Sequence, residues 1–142
     1  MATRENEAKK QFLRRYNYLR RKEEELETEM DAIRAKYTGR AITYSDMPTA
    51  HDSEHDLSDY AAEVDDLLCD LIAIRNRAIA SYRHISKSIE AMSDDREKEL
   101  LRLKYLHGLD WEEVADRMHY TTRWVYKLHG YALAHFRIIP PA

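Results

Sequence analysis

The sequence predicts an all-α protein in which a long, coiled-coil-like N-terminal helical hairpin is followed by a unit of three shorter helices. Charged residues make up 35% of the 142 residues, and there are only three Gly and three Pro, a composition that favours helix throughout. No alternating stretch rich in Val, Ile or Thr stands between turn signals, so no strand is predicted. Apolar residues recur instead at the three- and four-residue spacing of helices.

The first predicted element is one long helix from about Thr3 to Tyr37. A heptad seam runs along it, with the charged Glu23 at one seam position. The apolar members of this seam are Phe12, Tyr16, Leu19, Leu26, Met30, Ile33 and Tyr37. Gly39 is expected to end the helix as a C-cap. Because so narrow a stripe cannot stabilise a lone helix, the pattern predicts a partner helix.

A connection is expected at about residues 38–57, where Pro48 and many small polar residues interrupt the periodicity. It is long for a helix-helix connection, so it is either functional or a plain solvated connector. The second helix is expected to run from the N-cap Ser58 to about Met92. Its apolar stripe is wider than that of the first helix, and Cys69 is expected to lie in the core as a small apolar group.

The wide stripe of the second helix predicts that region 1–93 oligomerises. The helix can pack against the first helix on one side and a second copy on the other, which favours a dimer; a closed intramolecular hairpin is the alternative. Two helices alone bury little core for so small a chain. The residues expected at the oligomer interface are Leu19, Leu26, Met30, Ile33, Leu67, Leu71 and Ile74.

Residues 94–142 are predicted to form a separate domain of three short helices. Ser93 is the expected N-cap of the first of them, and Gly108 is expected to end it. Asp110 is the expected N-cap of the second, where Glu113 completes an aspartate version of the capping box.

The third short helix is expected to span 121–137 with Thr121 as its N-cap. His119 and Tyr120 would form a tight turn before it, and the small Ala115 lies where the two helices must approach closely. Two short helices joined in this way describe a helix-turn-helix, a motif that places its second helix in the major groove of DNA.

The charge distribution is consistent with this motif although the net charge is −3. Residues 1–40 carry eleven Lys and Arg against eight Asp and Glu, whereas residues 41–93 carry four against ten. No acidic residue follows Asp116. This local polarity is expected of a last helix that faces a polyanion.

Long polar side chains are expected on the first turns of a recognition helix, where Arg and Lys donate to guanine and hydroxyls contact bases or phosphates. The amides at its start are a phosphate site of their own. The residues predicted to contact DNA are Thr121, Thr122, Arg123, Trp124, Tyr126 and Lys127, together with Arg117, His119 and Tyr120 just before the helix. Each has a plainer interpretation as a solvated charge or a packing residue.

Three further interpretations concern residues near this helix. Trp111 is expected in the core, and Tyr131 is expected to be a half-buried packing residue. Three histidines, His119, His129 and His135, are expected to have surface or capping roles, because they have no regular spacing and no Cys or carboxylate partners; no metal site is predicted.

The run from Glu99 to Leu133 resembles the fourth region of bacterial sigma factors, the part that reads a promoter element. Residues 124–130, which read Trp-Val-Tyr-Lys-Leu-His-Gly, are more similar still to the C-terminal half of phage late-gene regulators of the RinA and ArpU kind. Residues 45–48, which read Ser-Asp-Met-Pro, are also similar to those prophage proteins.

This resemblance implies a sigma-region-four-like domain that regulates transcription of phage or prophage late genes. It also implies that four residues occupy DNA-contacting sites: Thr122, Arg123, Tyr126 and Lys127. The chain lacks the upstream sigma regions that bind core polymerase, so it cannot replace a sigma factor.

The expected partners are double-stranded DNA and a second copy of the chain, with host RNA polymerase as a further candidate; no cofactor and no membrane are expected. One cysteine and the lack of a long apolar run predict a protein of the bacterial host cytoplasm. A DNA-packaging protein of the small-terminase type and a helical protein that acts on RNA polymerase or a repressor are alternatives. No enzyme is predicted, because no Gly-rich phosphate loop, zinc helix or nucleophile elbow occurs.

Overall fold

The computed structural model describes the backbone of residues 2–42 and 50–141 and the side chains of residues 4–37 and 57–141. The described part contains no strand, which confirms the all-α prediction. Its α-helices are α1 (Ala2–Ile42), α2 (Ala50–Glu90), α3 (Asp95–Leu101), α4 (Trp111–Met118) and α5 (Thr122–His135), and a π-helical segment (Arg102–Leu106) continues α3. Within these ranges no helix has the length and apolar character needed to cross a bilayer.

Both long helices extend further than the sequence predicted. Helix α1 continues through Gly39 to Ile42, so the predicted C-cap is wrong. A single Gly costs only about 1 kcal/mol relative to Ala inside a helix, too little to end one by itself. Helix α2 begins at Ala50 and not at Ser58, so the predicted connection at 38–57 was too long at both ends. Residues 43–49, which include the whole segment 45–48, lie outside the described residues.

The chain divides into two compact units, one of Met1–Leu19 with Arg77–Ala142 and the other of Arg20–Asn76. This division differs from the predicted domain boundary after residue 93. The start of α1 and the end of α2 belong with the C-terminal helices because Leu13 and Ile85 lie in one core with Leu100 and Val125.

In the unit of residues 20–76, α1 and α2 pack as an intramolecular hairpin. The charged seam residue Glu23 is buried, and its carboxylate accepts from Arg75 Nε at 2.9 Å and Arg20 Nη1 at 2.7 Å. These two guanidinium partners explain how a carboxylate is accommodated in an apolar seam. Farther along the same seam, the rings of Tyr37 and Tyr60 lie 4.7 Å apart.

The residues predicted at an oligomer interface are covered within this single chain. Most belong to the hairpin unit, while Leu19 belongs to the other; Leu19, Met30 and Leu67 are buried and Leu26, Ile33, Leu71 and Ile74 are half-buried. The contacts that cover them therefore include intramolecular ones, and the dimer stays a prediction.

Cys69 is exposed, so its predicted place in the core is wrong. Its neighbours Leu68 and Ile72 are also exposed, at 43% and 51%. The apolar stripe of α2 is wider than the surface that α1 covers, and Cys69 lies on the uncovered part.

The larger unit has its core where the ends of α1 and α2 meet the three short helices. Phe136, directly after α5, is fully buried and its ring centroid lies 6.1 Å from that of Phe12. Lys9 Nζ of α1 donates to the carbonyl of Leu133 in the last turn of α5 at 2.7 Å, where the helix dipole favours a cation. These contacts fix α5 against α1.

The ends of the short helices follow local capping rules. Thr121 and Asp110 are N-caps as predicted. The cap of α3 is Asp94 and not Ser93, because the Asp94 carboxylate accepts from the amides of Arg96 and Glu97. Helix α5 ends at His135, two residues before the predicted end, and extended backbone begins at Phe136.

Candidate nucleic-acid interface

A short left-handed turn joins α4 to α5. His119 has φ 60° and ψ 40°, and it ends α4 as a left-handed C-cap. The amide of His119 donates to the Asp116 carbonyl at 3.3 Å, and the amide of Tyr120 donates to the Ala115 carbonyl at 3.0 Å. These bonds satisfy the last carbonyls of α4 and redirect the chain within two residues. The predicted tight turn and the capping role of His119 are confirmed.

The N-caps fix where α4 and α5 begin. Asp110 Oδ1 accepts from the Glu113 amide at 2.8 Å, and this backbone hydrogen bond lowers the pKa of the Asp110 carboxyl. At the next helix Thr121 Oγ1 accepts from the Trp124 amide at 3.1 Å. The first turn of α5 contains no acidic residue, so nothing in that turn repels an anion from the positive end of the helix dipole.

Helix α5 has two contrasting faces. The inner residues Val125, Leu128, Ala132 and Leu133 are buried. The outer face begins with Thr122, Arg123, Tyr126 and Lys127, all of which are exposed. These four predicted contact residues thus lie together on one solvent-accessible surface, here called the α5 outer face.

Trp124 and Tyr120 lie apart from this outer face. Both side chains are half-buried, with their ring centroids 6.4 Å apart in an edge-on contact. A hydrogen bond with the Tyr120 hydroxyl raises the pKa of the Arg96 guanidinium, and Asp94 adds to the effect. The two aromatic side chains therefore fix the start of α5 against α3.

Arg117 and His119 are exposed, but acidic side chains lie beside them. They line a shallow recess of α4 together with Glu113 and Asp116. The two carboxylates reduce the positive potential there, whereas the α5 outer face has no acid in its sequence. The acid-free surface is therefore centred on Arg123 and Lys127.

Trp111 supports the α5 outer face from α4. It is half-buried and not in the core as predicted. Its ring lies 5.4 Å from that of Tyr126, and Lys104 Nζ lies 4.7 Å from its centroid. Partial burial lowers the pKa of Lys104. Tyr126 is thus held by an aromatic contact although it is 56% exposed.

His129 is a packing residue, so the predicted surface or capping role is wrong for this histidine. Its Nε2 lies 2.7 Å from the Tyr105 hydroxyl, and Trp111 contacts its ring edge-on at 4.6 Å. Burial lowers the pKa of His129 to about 4 and raises that of Tyr105 to about 12. At neutral pH both the phenol and the imidazole are therefore neutral, and one hydrogen bond joins them. This bond joins α5 to the π-helical segment.

His135 at the end of α5 also has a partner that the sequence did not reveal. Its Nδ1 lies 2.9 and 3.0 Å from the two carboxylate oxygens of Glu97, a buried residue of α3. The spacing within each helix gives no sign of either pair, since the partners are 24 and 38 residues apart.

Residues 4–37 and 57–141 contain no cluster of three His, Cys, Asp or Glu side chains that could bind a metal ion. Comparison with known proteins adds no relative: no family model, no curated protein and no solved structure matches the chain. The geometry of the α4–α5 pair is therefore the structural observation that bears on function.

Proposed function

We propose that this chain is a sequence-specific, double-stranded DNA-binding regulator of transcription whose helix α5 lies in the major groove. One observation carries the proposal: four of the residues that the sequence predicts to contact DNA, Thr122, Arg123, Tyr126 and Lys127, form an exposed, acid-free face on a helix whose opposite face is buried. A recognition helix needs both faces, because it must stay fixed to its own domain while its side chains reach base edges.

The side chains of the outer face have the chemistry for this task. Arg123 and Lys127 are four residues apart and therefore lie on one side of the helix, about one turn apart. Arginine and lysine donate to the major-groove edge of guanine. The hydroxyls of Thr122 and Tyr126 can donate to a base or to a phosphate, and phosphate contacts fix the position of the helix along the duplex.

The regulatory part of the proposal rests on the similarity of residues 99–133 to sigma region four and to phage late-gene regulators. If two copies bind together, their target consists of two half-sites one helical turn or several turns apart. The promoter-proximal role of such domains also makes host RNA polymerase a proposed partner.

The test begins by selecting bound fragments from a random pool of duplex DNA and continues with fluorescence anisotropy on the enriched sequence. Arg123→Ala and Lys127→Ala should each weaken binding by about 1–3 kcal/mol where they read a base. A lost phosphate contact should instead reduce the salt dependence of binding by about one unit. Arg21→Ala, which removes an exposed cation from α1, is the charge-matched control.

Two results would contradict the proposal. The first is a selected pool with no enriched sequence, which would mean that the chain has no sequence preference. The second is an affinity loss for Arg21→Ala as large as that for Arg123→Ala, since the binding would then follow total charge and not the α5 outer face.

A further inference from the structure

A second cationic surface contains none of the residues proposed to contact DNA. It is a cleft of about 1080 Å³ in the larger unit, formed by α1, α2 and the C-terminal segment after α5. Arg15 and Tyr18 line it from α1, Ser81 and Arg83 from α2, and Pro140 from the C-terminal segment. We call it the Ser81 cleft.

The wall made by the C-terminal segment is fixed by its backbone. The amide of Ile139 donates to Ser88 Oγ at 3.1 Å, and Ser88 Oγ in turn donates to the His84 carbonyl at 3.0 Å. His84 Nε2 donates to the carbonyl of Ile139, and its ring contacts Phe12 edge-on at 4.7 Å. Both polar backbone groups of Ile139 are therefore bound to α2, and the cleft has a defined shape.

The cleft concentrates positive charge. Among the residues whose side chains the structure describes, no acidic one lines the cleft, and four cationic ones do: Arg15, Arg77, Arg83 and Lys87. None of the four forms an ion pair with any residue whose side chain the structure describes. Like charges that share one concave surface repel one another and focus a positive potential, which an anion would relieve.

Ser81 adds an independent sign that the cleft binds a ligand. The residue is only 7% exposed, and its Oγ has no hydrogen-bond partner, alone among the buried side-chain polar atoms of the described residues. A buried hydroxyl without a partner lowers stability, so native proteins keep few of them. Ser81 lines the cleft, but its Oγ is itself covered, so an acceptor atom of a bound ligand would satisfy it after a small shift of the neighbouring side chains.

We propose that the Ser81 cleft binds a small phosphorylated organic anion of nucleotide size. Its volume matches that of small-molecule sites, which are lined mainly by apolar groups with a few convergent polar ones. The four cations and the Ser81 hydroxyl contact the phosphate groups, while Tyr18, Leu19 and Pro140 contact the organic part. Phosphates of a duplex lie on a convex cylinder, so a buried hydroxyl in a recess favours a small ligand over DNA.

Titration calorimetry on the full chain tests this proposal, with ATP in excess EDTA as the probe and adenosine and tripolyphosphate as comparisons. ATP should bind saturably, and adenosine should give no binding heat at the same concentrations. Tripolyphosphate should bind more weakly than ATP because it lacks the organic part. Arg77→Ala and Arg83→Ala should each weaken ATP binding about tenfold, as expected for the loss of one charge-assisted hydrogen bond.

Arg14→Ala is the matched control, since Arg14 is an exposed neighbour of Arg15 on α1 that does not line the cleft. It should change the affinity less than about twofold, a shift well below that of a lost hydrogen bond. Ser81→Ala gives a distinct signature: the free protein should keep or raise its melting temperature, because an unsatisfied group is gone, while ATP binds more weakly.

Four results would overturn the proposal. They are no saturable ATP binding at millimolar concentration, equal affinities for ATP and tripolyphosphate, equal losses for Arg14→Ala and Arg83→Ala, and a loss of duplex binding in Arg83→Ala without any loss of ATP binding. The last result would assign the cleft to DNA. Because the cleft shares no residue with the α5 outer face, the proposal stands or falls separately from DNA binding.

Discussion

Acid should destabilise the larger unit through His129. In the folded chain burial lowers the pKa of this imidazole from 6.5 to about 4. Between these two values the unfolded chain binds a proton that the folded chain does not, so stability is complete above pH 6.5 and is lost as the pH falls towards 4. The pKa difference corresponds to at most about 3 kcal/mol. We expect about 1–2 kcal/mol because solvent reaches part of the half-buried ring.

Urea unfolding followed by circular dichroism at several pH values between 7.5 and 4.5 measures this loss. His129→Gln removes the titration, and its side-chain amide can form a hydrogen bond with the Tyr105 hydroxyl in either direction. Wild type should therefore lose about 1–2 kcal/mol more than this variant across the range. The control His107→Gln changes an exposed histidine and should keep the wild-type dependence.

The reasoning would be refuted by parallel stability curves for wild type and His129→Gln. An NMR titration gives a second, direct test, since the ring protons of His129 should titrate near pH 4. A midpoint near 6.5 would show that the ring is solvated and that the Tyr105–His129 hydrogen bond does not hold α5 as described.

Four further variants test the packing, each by its free energy of unfolding in urea. Gly108→Ala should destabilise by about 1 kcal/mol, because φ is +71° there, although the nearest side-chain atom leaves room for a methyl group. Gly130→Ala should stabilise by about 0.5–1 kcal/mol, because Gly130 lies within α5 and a Cβ would meet nothing within 4 Å. Phe136→Ala should cost about 3–5 kcal/mol, because the ring is fully buried. Arg75→Ala should cost about 1 kcal/mol at pH 7, because it removes a partner of the buried, ionised Glu23. Burial raises the pKa of Glu23, but its guanidinium partners hold that pKa below the ordinary value. This last cost should disappear in acid, where Glu23 is protonated in both variants.

Features encoded by a few neighbouring residues could be predicted from the sequence. Asp110 and Thr121 were predicted as caps because an N-cap depends on one side chain and the amides two or three residues later. The order of the helices could also be predicted, because the apolar periodicity that indicates each helix is a pattern of neighbouring residues. The prediction that Ser93 is an N-cap was wrong, because the adjacent Asp94 is an equally good N-cap residue and caps the helix instead.

Features that depend on distant contacts could not be predicted. The unit boundary follows from contacts such as that between Phe12 and Phe136, which lie at opposite ends of the chain. The exposure of Cys69 depends on how much of the apolar stripe of α2 is covered by α1. The sequence of α2 alone does not determine that coverage. The Ser81 cleft could not be predicted because Arg15, Ser81 and Pro140 come from three distant segments of the chain, and none of these segments alone has a pattern that indicates a binding site.

The α5 outer face was predictable for the opposite reason, since all its members lie within two turns of one helix. The shapes of the α5 outer face and of the Ser81 cleft favour different kinds of ligand. A convex helix with solvated cations at one-turn spacing suits a grooved polymer, whose many phosphates make binding steeply salt-dependent. A concave cleft with a fixed wall and a buried hydroxyl suits one small anion, whose binding depends on far fewer ion contacts. ATP affinity should therefore fall less with added salt than DNA affinity does. The net charge of −3 indicates neither cationic surface, because it is a sum over the whole chain.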